Sequence, residues 1–73
     1  MKTLKLMDSS GDTRIEFDEA TANAEARDLF ARMTAKGAAV FSVNRGEGKP
    51  DVRVKDFDAL EQENVIVPAI VAG

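Results

Sequence analysis

The sequence predicts an α+β domain in which a mixed sheet of four to five strands carries one main helix across one face. Three observations lead there. Apolar and polar residues alternate at Leu4 and Leu6, and again at Ile15 and Phe17, with the period of two that marks half-buried strands. One stretch, from about Glu19 to Lys36, has helical periodicity instead. The run from Val65 to Val71 is the most apolar in the chain, as a strand covered on both faces should be. Seventy-three residues leave room for a single core. Residues 1–73 are therefore expected to form one domain, with 68–73 as a C-terminal tail.

The elements follow in order. Between the first two strands, Asp8-Ser9-Ser10-Gly11-Asp12 collects residues that favour turns, so the pair reads as an antiparallel hairpin. In the helix, Ala22, Ala26, Leu29, Phe30 and Met33 form one apolar stripe. Asp18 or Thr21 is placed to accept its first free amides, and Glu19 suits its positive end. Asp28 and Arg32 pair at i,i+4 on the wet side. Lys36-Gly37 supplies a cation in the last turn and a glycine for a left-handed cap. Ala38 to Val43 is a third strand with apolar residues on both faces, hence a central one. Asn44 to Asp51 is a loop by composition, and Val52 and Val54 alternate with Arg53 and Lys55 in a short, charged edge strand. Asp58 to Glu63 reads as one helical turn burying Leu60. The last strand starts at Asn64 or Val65, with Val65 to Val67 in the core, and Pro68 ends its regular pairing.

Composition removes most chemistries. The chain has no cysteine and no histidine, so thiolate nucleophiles, disulfides and the commonest general base and metal ligand are missing. A non-enzyme without cofactors is expected. Three metal- or phosphate-like patterns resolve into plain turns. Asp8, Ser10 and Asp12 alternate like calcium-loop ligands, but the glycine comes too early and no acidic twelfth position follows. Asp56 and Asp58 lack a third ligand. Gly46, Gly48 and Lys49 have neither the glycine spacing nor the following hydroxyl of a phosphate loop, since Pro50 stands there. A net charge of −3 argues against nucleic acid. The start lacks the apolar core of a signal peptide, and no run approaches the roughly 20 apolar residues that span a bilayer, so a cytoplasmic protein without membrane contact is expected.

The order strand, strand, helix, strand, strand, short turn, strand fits a β-grasp, or ubiquitin-like, fold with the last strand central beside the first. A ferredoxin-like arrangement needs a second full helix, which is absent. Within the second half, Val43-Asn44, Val52-Arg53-Val54-Lys55-Asp56 and Asn64 to Gly73 resemble the small sulfur-carrier proteins: the molybdopterin-synthase small subunit and the thiamine sulfur carrier. The resemblance implies a tail threaded into an adenylating enzyme and a Gly73 carboxylate converted there to a thiocarboxylate. Ala72 stands where that family has glycine, and Ala69 where many members have a second proline. Two functions are thus expected. The first is a protein-interaction or accessory module, contacting its protein partner through Arg53, Lys55, Pro68, Ile70 or the uncovered sheet face. The alternative is a sulfur carrier or ubiquitin-like modifier reacting at Gly73, with Ala72 beside it.

Overall fold

The computed structural model describes residues 1–8 and 11–69. Strands β1 (Lys2–Asp8) and β2 (Gly11–Phe17) form a hairpin, followed by helix α1 (Asn23–Ala35), β3 (Ala39–Ser42), β4 (Val52–Val54), a 3-10 turn at Phe57–Ala59 and β5 (Glu63–Val67). The five strands make one sheet in the order β2-β1-β5-β3-β4. β1 and β5 run parallel, and every other neighbouring pair is antiparallel. The domain is α+β, and the last strand lies beside the first at the centre, as expected.

The registers sort the sheet into ranks that cross all five strands. Thr13, Leu6, Ile66, Val40 and Val54 stand in one rank; Ile15, Leu4, Asn64, Ser42 and Val52 stand in a second. Because strand side chains alternate between faces, both ranks point the same way. Their central members are buried and meet Ala26, Leu29 and Phe30 of α1, with Phe17, Ala38 and Leu60 closing the sides. Each large side chain of this set, such as the fully buried Leu4 or Ile66, stabilises the fold by about 2 kcal/mol.

One polar side chain sits in the middle of that layer. Asn64 has no exposed surface, and its amide makes four hydrogen bonds. Its Oδ1 accepts from the Ser42 hydroxyl at 2.6 Å and from the Glu61 amide at 3.0 Å. Its Nδ2 donates to the Thr3 carbonyl at 3.0 Å and to the Glu61 carbonyl at 2.7 Å. Two donors on the oxygen and two acceptors on the nitrogen leave only one orientation of the amide satisfied. One side chain thus joins β1, β3, β5 and the segment entering β5. Among the described residues no buried side-chain nitrogen or oxygen lacks a partner.

Four sequence readings need correction. The hairpin strands pair as far as Asp8 opposite Gly11, so less of the Asp8–Asp12 cluster is turn than expected. The helix begins at Asn23 and not near Glu19. The Asp18 carboxylate does bind early amides, but those are Ala20 and Thr21, at 2.8 and 2.7 Å, in a turn before the helix. Ala22 then enters α1 in a left-handed conformation (φ 54°) with no side-chain cap. The turn before β5 is centred on Phe57–Ala59, although Leu60 is buried as expected. Finally, the phase of β5 differs: Asn64 and Ile66 face the helix, while Val65 and Val67 lie on the opposite face, Val67 being 42% exposed. Pairing with Leu4 and Leu6 dictates that parity.

The C-terminal end of α1 matches its sequence reading. The Ala38 amide bonds the Met33 carbonyl and the Gly37 amide bonds the Thr34 carbonyl, with Gly37 at φ 89°. This is the Schellman arrangement, which needs a residue at ease in the left-handed region. A Cβ on Gly37 would lie 3.6 Å from that of Ala69, an ordinary contact, so the cost of a side chain there is conformational. Gly37→Ala is expected to destabilise the protein by about 1 kcal/mol in urea titrations. Asn64→Ala is expected to cost about 3 kcal/mol or more, because it strands several buried backbone groups, whereas Ser42→Ala costs about 1 kcal/mol. Equal losses for the two variants would contradict the amide's central role.

Candidate functional site

The face of the sheet away from α1 has no element covering it among the described residues. Its middle rank reads Arg14, Lys5, Val65, Phe41, Arg53, one residue from each strand. Alternation places these five side chains opposite the core ranks. Val65 and Phe41 are half-buried by their neighbours, while Arg14 and Arg53 are exposed. Toward the start of β1 the next rank is Glu16, Thr3 and Glu63. In the other direction lie Met7, 50% exposed, and Val67 beside Ala39. Met7 and Val67 are two of the three large apolar residues exposed among those described, the third being Met1.

Arg14 reaches Glu16 at 3.3 Å, both side chains more than half exposed, a pair of the kind that contributes little. Glu63 accepts a hydrogen bond from the Asn44 side chain, 2.6 Å away, which ties the start of the β3–β4 loop to the sheet. The same loop is held from behind by Arg45, whose Nε donates to Glu61 at 2.8 Å and whose NH1 donates to the Pro50 carbonyl at 3.1 Å. These contacts keep the loop's base fixed beside the open face.

The residues expected to contact a partner are only partly brought together. Arg53 belongs to the open face, in register with Phe41. Lys55 is exposed just beyond β4, where it joins Thr34, Gly37 and Arg53 around a small cleft between the edge strand and the end of α1. Pro68 follows β5 directly and is half-buried. Ile70, Ala72 and Gly73 lie outside the described residues, as does Ser10. Asp56 and Asp58 are exposed, and Asp58 approaches Arg27 at 3.6 Å. Among the described residues no cluster of three or more acidic side chains is placed to hold a metal ion. The Gly46–Gly48 stretch is a hairpin turn closed by the Lys49 amide on the Gly46 carbonyl. Among the described residues no helix is long and apolar enough to cross a membrane.

Sequence reasoning singled out neither Arg14 nor Lys5. Both sit at polar positions of alternating strands, so their face was legible, but their alignment with Arg53 depends on a strand order that joins distant segments. It also missed a wider cleft at the start of α1, lined by Phe17, Asp18, Asn23, Arg27, Phe57 and Asp58 among others. Its floor is already occupied by internal packing. The Phe57 ring lies 5.5 Å from Phe17 and 5.9 Å from Phe30, and the Arg27 guanidinium stacks over it at 4.4 Å. Acidic and basic groups are mixed around its rim, which gives no field of one sign.

Comparison with known proteins returned no match: no family model, no curated protein and no solved structure is significantly similar to this chain.

On the rim of that cleft, the amides of Ala20 and Thr21 hold the Asp18 carboxyl below the usual carboxylate range. A depressed native pKa adds stability that is present above the unfolded value and lost as pH falls through the native one. Asp18→Ala should therefore be less stable than wild type at pH 7, and the gap should narrow once pH drops below about 4. Urea melts at neutral and acid pH check this; a gap that stays constant would contradict it.

Proposed function

We propose that this chain is a non-catalytic protein-interaction module of β-grasp, ubiquitin-like fold. The observation that carries the reading is the open sheet face, where exposed Val67 and Met7 adjoin half-buried Val65 and Phe41 and no described element packs over them. A contiguous apolar surface on a small domain is characteristic of a contact site. The β-grasp assignment is supported by the strand order β2-β1-β5-β3-β4, with β1 parallel to β5 at the centre and a single helix packed behind. No constellation of titratable side chains suited to acid–base or nucleophilic chemistry competes with this reading among the described residues, whose carboxylates are mostly exposed.

Retention of proteins from a native extract by the immobilised domain tests it. A Met7→Ser/Val67→Ser variant is expected to unfold within about 1 kcal/mol of wild type, since both side chains are about half exposed, yet to lose the proteins that wild type retains. Identical retention by both would refute the reading.

A second reading, the sulfur carrier or modifier activated at Gly73, is favoured by one feature. Regular pairing ends at Val67 opposite Ala39, and Pro68, which has no amide to donate to a ladder, follows directly. Adenylation by an activating enzyme would require Gly73 to carry the free carboxylate. Intact mass of the protein from a host with sulfur-transfer machinery tests this: replacement of one terminal oxygen by sulfur supports it, and unmodified protein sinks it. Removing Ala72 and Gly73 is expected to leave the melting temperature nearly unchanged.

A further inference from the structure

The two edges of the sheet differ. β4 has three residues, carries Arg53 and is flanked by Pro50 and Lys55, features that commonly guard an edge against further pairing. β2 has seven residues and no proline, and it comes first in the strand order with no described element beyond it. Arg14 and Glu16 are exposed on its open-face side, and half-buried Ile15 between them lies on the helix side.

The bonding of β1 shows which backbone groups of β2 turn outward. The Thr3 amide donates to the Gln62 carbonyl at 2.9 Å, so its backbone groups point toward β5. Alternation turns those of Lys2, Leu4 and Leu6 toward β2, where they meet Phe17, Ile15 and Thr13. Arg14 and Glu16 therefore direct their amides and carbonyls away from the sheet. The Asp18 amide is already bonded to the Thr21 carbonyl, so the free row ends at Glu16.

A second copy of this strand satisfies that row. Antiparallel pairing about a two-fold axis through Ile15 sets Arg14 opposite Glu16 of the copy, and Glu16 opposite its Arg14. Outward backbone groups meet at both places and exchange hydrogen bonds, with Cα atoms about 5.5 Å apart. Each guanidinium faces the copy's carboxylate, and unlike charges directly opposite stabilise a strand pair where like charges oppose it. On the helix side Ile15 meets its own image at the closer spacing of about 4.5 Å. Neighbouring registers lose these contacts. An axis through Arg14 sets that cation against itself, and one through Glu16 does the same for the carboxylate. An axis through Thr13 leaves Ile15 facing Gly11. A foreign strand has to match both charges in order, whereas the copy does so by symmetry.

We propose that this chain self-associates through β2, two copies joining edge to edge in one continuous sheet with Arg14 and Glu16 paired between them. The two open faces then lie on the same side and both helices on the other. Within one chain the exposed Arg14–Glu16 pair contributes little, so little opposes its exchange between copies. The contact strip is small, so the dimer is transient and populated only at high concentration. This association uses the edge of β2 and stands apart from the reading of the open face.

The test follows amide shifts and sedimentation of the isotope-labelled chain from about 20 μM to about 2 mM, the range in which so small an interface fills. Shifts centred on Arg14, Ile15 and Glu16 are expected to grow with concentration as sedimentation moves from monomer toward dimer. Arg14→Glu and Glu16→Arg each set like charges opposite one another, and each should weaken association at least about tenfold. Mixing the two variants should restore it, because an edge with two acids then faces an edge with two bases. The exchanged variant Arg14→Glu/Glu16→Arg should associate like wild type. Both positions are exposed, and a dispersed spectrum reports that each variant is folded. A chain that stays monomeric over the whole range sinks the proposal, as does a dimer that neither substitution weakens. Weakening by Arg14→Glu alone would overturn the register through Ile15. Concentration-dependent shifts centred on β4, or on Met7 and Val67, would overturn the proposal by assigning the contact to another surface.

Discussion

The structure depends on one buried amide. Asn64 stands in the central strand and bonds to the chain on every side: Ser42 on β3, Thr3 on β1, and Glu61 twice in the approach to β5. A polar group at this depth is costly unless all its capacity is used, and here it is. An unsatisfied alternative is therefore penalised strongly, which makes the amide a selector of register. Sliding β5 by one residue would bring Val65 into the helix layer and expose Ile66. It would also leave the Thr3 and Glu61 carbonyls without their donor.

That selection reaches the surface. Once Asn64 and Ile66 face α1, alternation sends Val65 and Val67 to the other side of the sheet. The neighbouring registers then bring Lys5, Arg14, Phe41 and Arg53 into line with Val65. The make-up of the open face, with its middle rank of Arg14, Lys5, Val65, Phe41 and Arg53 beside Glu16 and Glu63, is thus tied to the polar contact on the hidden side. The Arg45–Glu61 pair, with Arg45 largely covered, stiffens the same region by fastening the long β3–β4 loop to the segment that Asn64 binds.

Much of this was legible from residue patterns, and the exceptions have physical causes. Alternation at Leu4, Leu6, Ile15 and Phe17 located the hairpin, and the stripe ending at Met33 with Gly37 beyond it located the helix and its end. The start of the helix was misplaced because Asp18 has the side chain of a cap, but its carboxylate closes a turn one step earlier. The phase of β5 was hidden because Val65, Ile66 and Val67 are apolar without a break, so parity had no marker. Asn64 gave the opposite signal to its role: a polar residue before an apolar run looks like the end of a loop. Arg53 was recognisable as an exposed edge residue, but its line-up with Arg14 and Lys5 follows only from the order of strands. Gly73 and Ala72, on which the carrier reading rests, lie beyond the described residues.

The pairing of β1 with β5 has a kinetic consequence. Thr3 and Asn64, joined by a hydrogen bond, are 61 positions apart, and the two strands that carry them form the centre of the sheet. Closing so long a loop is entropically unfavourable before other contacts reward it. The two hairpins and α1 can assemble from neighbours in sequence, but they stay unjoined until β5 inserts between them. Non-local pairing concentrated in one strand is expected to make that insertion the slow event of folding.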